Sequence, residues 1–358
     1  VIQFLAQVVP VLVFLIGIAL VSEVCDRSGL FQVLGQGMLI AARGRAWLLW
    51  CGLAVGCLVI TAVLSLDTTA VLMVPVAISM ARRAGRDPLP FAVTCVWLAN
   101  TGSLLLPVSN LTNLLSTGSG SPLTGNFTSH TWPVAISAAV VTLVLIVAFW
   151  PGVLRGRYVL ASSPEPRDVP LVWVCGAVCL ALACLFAAGV QPTVPTVVAA
   201  LILAVVFWIR HREQARSLAV PWKMALAVLA LFVVVQLLRP VFLDQWMSAA
   251  LGSGSDGWAL ARVAGVGTVA ANAVDNLPAF LALQPAADHP AGMVALLVGV
   301  NAGAVVTPWG TLATLLWLWR CRIAGVDVSV WGHVWRSLIL AVAVVAACSL
   351  TLALTVAS

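Results

Sequence analysis

Apolar residues fill long runs of this chain, and polar ones interrupt them in only a few places. The runs cover roughly 4–24, 47–66, 70–84, 90–117, 131–150, 170–188, 193–209, 221–238, 258–283, 291–319 and 334–356. Most are apolar all round, and about 20 such residues suffice to cross a bilayer as a helix. Two pairs are too short or too broken to cross alone. The run 47–66 leads directly through Ser-Leu-Asp-Thr-Thr-Ala into 70–84, with no room for a solvent loop. Arg43 and Arg45 precede the first arm, and Arg82, Arg83 and Arg86 follow the second. A re-entrant helical hairpin over 46–84, open to the basic side with its tip at 65–69 buried, accounts for this. The shape recurs at 257–285, with AANAVDNLP (270–278) as the tip.

Two further runs carry their interruptions in matching places. Residues 100–115 read NTGSLLLPVSNLTNLL and residues 301–316 read NAGAVVTPWGTLATLL. Pro107 and Pro308 each remove a donor and disturb the preceding turn, while Gly102 and Gly303 permit close approach. Ser109, Asn110, Thr112, Asn113, Thr311 and Thr314 supply hydroxyl and amide groups. In hydrocarbon a broken helix costs several kcal/mol per unpaired backbone group unless protein, water or ligand satisfies it. The plainer alternative is a tolerated kink whose hydroxyls bond their own i−4 carbonyls. That suits Thr61 and Thr94, and suits two matched clusters badly. Discontinuous transmembrane helices over 90–117 and 291–319 are therefore expected.

Composition fixes the class. Of the 358 residues 62% are hydrophobic and 8% charged, which excludes a water-soluble domain. The net charge of +6 does not point to nucleic acid, because the basic residues sit in short loops between spans. With both hairpins in place, sixteen of the 18 Lys and Arg fall on one side, leaving Arg239 and Arg262 on the other. By the positive-inside rule the rich side is cytoplasmic and the protein sits in the plasma (inner) membrane. The loop 118–130 holds no Lys or Arg and falls outside, as does 284–290. The chain starts in apolar character at Val1 with no basic segment, so no signal peptide is expected.

The segments sort into two halves of the same order, 1–157 and 158–358. Each has a span, a short stretch (30–42 and 241–251), a hairpin, a broken helix and a plain span. The first hairpin opens inward and the second outward, an inverted-topology repeat of the kind that builds secondary transporters. The second half is preceded by two extra spans, 170–188 and 193–209. The first has no counterpart, as expected of a chain shortened at its N-terminus. The expected fold is thus an all-α polytopic membrane protein with an inverted repeat, two re-entrant hairpins and two discontinuous helices.

Each hairpin tip carries one carboxylate, Asp67 in SLDTTAV and Asp275 in VDNLPAF. An ionisable group at membrane depth is a functional hypothesis by default, and one without a basic partner in its own span can exchange a proton. Either also suits a helix cap: Asp67 with Thr68 and Thr69, Asp275 with Asn276 and Pro278. Glu23 and Asp26, at the end of the first span, are expected to be solvated. The nine cysteines lie almost all inside apolar runs, with no Cys-x-x-Cys pair, against a disulfide or zinc framework. Cys175 and Cys179 share one helix face and are either packing residues or a soft-ligand pair. There is no phosphate-binding loop, and His130, His211, His289 and His333 lie separately in or beside loops. An enzyme is not expected.

Four blocks, TAVLSLDTTAVLMVPV (61–76), WLANTGSLLLPVSNLTNLL (97–115), NAVDNLPAFLAL (272–283) and VGVNAGAVVTPWGTLATLLWLWRCRIAGVDVSVW (298–331), resemble the arsenical-pump (arsenite efflux permease) family of the ion transporter superfamily. The resemblance implies efflux of trivalent arsenic and antimony hydroxides in exchange for protons, in some cases with a separate soluble ATPase. Carried over, it implies a site of Asp67, Thr68, Asn100, Ser109, Asn110 and Asn113 from the first half, with Asp275, Asn276, Asn301 and Thr311 from the second. The halves are not equivalent, since Ser109-Asn110 is answered by Gly310-Thr311. Two carboxylates with no Lys or Arg near the breaks disfavour a dicarboxylate. They leave sodium/proton exchange open beside arsenite/proton exchange, with a channel as the alternative of another class. No cofactor is expected, and the oligomeric state is open. A neutral hydroxide suits a ring of short polar groups, so no obligatory three-thiolate transport site is expected.

Overall fold

The computed structural model of the chain describes residues 2–118, 120–159, 168–188, 190–218, 222–238 and 256–357. The short stretch expected at 241–251 lies outside the described residues, as do Arg167 and Arg239. In chain order the helices are α1 (Ile2–Ser28), α2 (Leu30–Ala41), α3 (Ala46–Val63), α4 (Leu66–Arg83), α5 (Pro88–Thr101), α6 (Leu111–Leu115), α7 (Phe127–Phe149) and α8 (Val169–Ala187). They continue as α9 (Thr193–Arg210), α10 (Arg212–Ala215), α11 (Trp222–Leu238), α12 (Gly257–Val274), α13 (Asn276–Leu283), α14 (Pro290–Leu297), α15 (Leu312–Ile323) and α16 (Val330–Ala357). No strand occurs among the described residues.

Five of these helices (α3, α7, α8, α9 and α16) are long and apolar enough to cross a membrane. Their outward faces confirm what solvent they meet. Ile136, Val140 and Val144 form an exposed ridge on α7, and Val194, Val198, Leu201 and Val205 one on α9. Ridges of that kind are stable against lipid tails and not against water. The chain is an all-α, multi-pass membrane protein.

Two apolar cores hold the bundle. One gathers α3, α4, α5, α7, α12, α14 and α16 around Trp97, Phe91, Phe280 and Trp317. The other joins α1, α8 and α9 to the near faces of α2, α4 and α15. α3 packs on α4, and α12 on α13, so each expected hairpin is a contacting helix pair. The second member of each pair also meets the far arm of the other half's broken helix: α4 packs on α15, and α13 on α6.

The basic loops gather at one end. Arg27 donates to the Gln214 carbonyl and the Ser217 hydroxyl, both at 2.9 Å, and Arg82 donates to the Ala324 carbonyl at 2.5 Å. Asp168 caps α8 by accepting from the Leu171 amide at 3.1 Å. Arg210 beside it, in contact at 2.7 Å, holds its carboxyl well below the usual carboxylate range.

One expectation is corrected here. Glu23 is buried rather than solvated: it meets Arg27 at 2.9 Å and Arg320 of α15 at 3.3 Å, and Asp26 meets Arg320 at the same distance. Arg320 is itself only 2% exposed. Two acids and two guanidiniums form a network there, the arrangement in which buried charge is tolerated.

Candidate functional site

The first tip is built by Ser65. It caps α4 by accepting from the Thr68 amide at 3.1 Å, and its hydroxyl lies 2.9 Å from that of Thr68. Thr69 returns to the Ser65 carbonyl at 3.0 Å and meets Thr61 at 2.8 Å. Asp67 therefore caps nothing, contrary to the cap-like role its sequence suggests. It lies in the first turn of α4, and its Oδ1 is buried without a hydrogen-bond partner.

The second tip is shorter than expected. α12 continues through Val274, so the nine-residue tip contracts to Asp275 alone. Asp275 has φ 82° and ψ 152°, a region that costs a side-chain-bearing residue about 1–3 kcal/mol. It does cap: Oδ1 accepts from the Leu277 amide at 3.2 Å. Asn276 follows, buried, as the first residue of α13.

Both broken helices are broken. In the first, α5 gives way to short 3-10 turns at Gly102–Leu104 and Pro107–Ser109, and Asn110 caps α6 by accepting from the Thr112 amide at 3.3 Å. The freed carbonyls of Ser103 and Leu106 are taken by Asn113 Nδ2 at 2.6 and 3.2 Å. The Ser109 hydroxyl donates to the same two carbonyls. In the second, α14 passes through a π turn at Val298–Ala302 and a 3-10 turn at Gly303–Val305, and Pro308 lies in the irregular stretch before the Thr311 cap. Thr311 accepts from the Thr314 amide at 3.2 Å, and the two hydroxyls lie 2.9 Å apart.

Asn272, on α12, holds the second break, and the sequence reading missed that role. Its amide donates to the Gly303 carbonyl at 2.8 Å, and its Oδ1 accepts from the Thr307 amide at 2.8 Å. Its own carbonyl accepts from the Thr307 hydroxyl at 3.0 Å and the Trp309 indole at 2.9 Å. An amide inside an otherwise apolar arm was the available signal. The glycines explain the close approach: a Cβ on Gly303 would strike the Thr268 side chain, and one on Gly310 the Ala304 carbonyl.

The two breaks meet at Asn301. Its Oδ1 accepts from Asn110 Nδ2 at 2.8 Å and from the Thr112 hydroxyl at 2.7 Å, while its Nδ2 donates to Asn113 Oδ1 at 2.8 Å. All four residues are buried. Asn100, the counterpart of Asn301, makes no such link. Its amide returns to the Val96 carbonyl at 2.8 Å, and its Oδ1 is buried without a partner. Gly102–Leu104 packs directly against Val298–Ala302.

Cys175 and Cys179 lie away from the breaks, on α8. His333, read from sequence as lying in or beside a loop, is buried in the first turns of α16 with its ring 4.9 Å from that of Trp317. Among the described residues no group of three or more His, Cys, Asp or Glu is arranged to hold a metal ion.

The citrate transporter family (CitMHS) matches the chain over residues 4–295, from α1 through most of α14. The chain belongs to that family. It is also similar to the arsenical pump membrane protein of Escherichia coli strain K12, at 28% identity over 90% of this chain and 80% of that protein. The arsenical pump membrane protein of Yersinia enterocolitica matches at 27% over the same shares. An uncharacterized transporter of Mycobacterium tuberculosis is 24% identical over 96% of this chain and 84% of its own length. Together these matches place the chain in the ion transporter superfamily as a secondary transporter and not an enzyme.

Proposed function

We propose that the chain exports trivalent metalloid hydroxides, arsenite and antimonite, in exchange for protons by alternating access. The observation that carries this reading is a pair of buried acceptors without donors, Asp67 Oδ1 at the first tip and Asn100 Oδ1 beside the first break, whose far arm is joined to Asn301. A buried acceptor left unmade costs about 1–3 kcal/mol, so such atoms call for a donor. A neutral trivalent hydroxide offers three O–H donors and no charge to desolvate. Its site would be Asn100, Ser109, Asn110, Asn113, Asn301 and Thr311, with Thr68 and Asn276 at the tips and Asp67 and Asp275 as the proton carriers. In this reading the pairs α3–α4 and α12–α13 are re-entrant hairpins of an inverted repeat, and the basic loops face the cytoplasm. A soluble ATPase, where one is present, acts from that side.

Citrate, the substrate in the family's name, is less well served. Neither break nor tip carries a Lys or Arg, and a tricarboxylate would meet Asp67 and Asp275. Sodium/proton exchange is the second reading, since the same two orphan oxygens also suit a cation.

Everted vesicles under an inward-acid proton gradient test this directly. Arsenite and antimonite should accumulate, collapse with the gradient, and fail to accumulate in Asn110→Ala. Sodium-dependent proton movement without metalloid flux would favour the second reading, and citrate flux would overturn both.

A further inference from the structure

Cys175 and Cys179, one turn apart on α8, do not stand as a pair. The thiol of Cys25 on α1 reaches Cys179, the two sulfurs lying 3.5 Å apart, while Cys175 sits one turn back on the same helix. Cys25 and Cys175 are fully buried and Cys179 half-buried. A void of about 10 Å³ opens beside Cys179, walled by Ile18, Val21, Leu64, Leu182 and Thr68, with room for about one water-sized group.

From this geometry we propose that Cys25 and Cys179 form a dithiol site for a trivalent metalloid, beside the first hairpin tip and distinct from the broken helices, with Cys175 as an adjoining third thiol. Two thiolate bonds of about 2.3 Å meeting at about 100° hold their sulfurs about 3.5 Å apart, whereas a linear centre would need about 4.6 Å. The observed 3.5 Å fits the bent arrangement. A tetrahedral dication is badly served, because among the described residues no group of three or more His, Cys, Asp or Glu is arranged to hold a metal ion. A trivalent metalloid needs no such group. Each sulfur lone pair attacks the metalloid, one bond to hydroxide breaks per sulfur, and each thiol proton leaves with that hydroxide as water. No oxidation state changes. Two thiols thus release two waters and leave a neutral adduct with one hydroxyl. Neutrality suits the apolar walls, and the void has the size of the remaining hydroxyl.

Thr68 walls the void from the hairpin tip, so an occupied site would lean against the element that carries Asp67. The site does not depend on what the broken helices carry, because the thiol chemistry holds for any transported species.

The test uses the purified full chain in detergent, with arsenite as the probe. Arsenite should protect two thiols from alkylation and add one metalloid per chain by intact mass spectrometry, with two waters lost. Cys25→Ser and Cys179→Ser should each weaken this at least about tenfold. Cys184→Ser, at an exposed cysteine, and Asn110→Ala should leave it unchanged. Helix content by circular dichroism identifies any variant that fails to fold. An adduct that persists in Cys25→Ser/Cys179→Ser, equal protection by Zn²⁺, or no adduct at all would overturn the proposal. An adduct in a protein that moves no metalloid in vesicles would sink the export reading and leave this site standing.

Discussion

Asn113 serves the freed carbonyls of Ser103 and Leu106 from within its own broken helix, and the Ser109 hydroxyl serves the same two. The second break has no such internal clamp: it is held by Asn272, which projects from α12. Two segments with matched glycines, prolines and asparagines therefore solve one problem in two ways. The first satisfies its freed carbonyls from within, and Asn110, Thr112 and Asn113 tie it to its neighbour at Asn301 alone among these bonds. The second keeps its shape only in contact with α12, and the close approach at Gly303 ties it there more firmly. An alternating-access cycle built on these parts would move the first break as a self-contained unit and the second together with its hairpin arm.

The largest effect is expected where the two meet. Asn301→Ala orphans groups on Asn110, Thr112 and Asn113. At about 1 kcal/mol or more each, transport should fall at least about 100-fold while helix content holds. Near-normal flux would mean the breaks do not work as a pair.

A stability difference should separate the two clamps. Asn272→Ala leaves the Thr307 amide and the Gly303 carbonyl without their partner, and should lower unfolding stability by about 2–4 kcal/mol. Asn113→Ala leaves the Asn301 amide without its acceptor but not the two carbonyls, which Ser109 still serves, and should cost about 1–2 kcal/mol. Equal losses in detergent unfolding would erase the distinction between internal and external support.

Smallest in stability, and most informative about coupling, are changes at the first tip. Ser65→Ala removes the α4 cap and should cost about 1 kcal/mol without altering the pH profile of exchange. Asp67→Asn, which caps nothing, should leave stability nearly unchanged and abolish the proton dependence. A normal pH profile in Asp67→Asn and Asp275→Asn alike would make both carboxylates structural.

Much of this was legible from local pattern. The spans, the breaks at Gly102–Pro107 and Gly303–Pro308, and the polar residues that meet at Asn301 all stand out because they interrupt apolar runs. Partners brought together by packing do not. Nothing periodic links Cys25 to Cys179 or Glu23 to Arg320, which are 154 and 297 positions apart. The second tip was drawn too wide because Ala270–Val274 reads as polar interruption at Asn272, yet its alanines and valine carry the helix to Asp275. Asn272 was thereby assigned to a turn, and its grip on the second break passed unseen.

Glu23 also fixes an order of events. Its first partner, Arg27, lies one turn away in the same helix and is present as soon as that helix emerges from the ribosome. Its second, Arg320, is synthesised 297 residues later. Arrival of α15 supplies the second guanidinium, and only then is full burial of the acid supported. The buried ion cluster is thus complete only once the last third of the chain has been made and α15 has packed against α1.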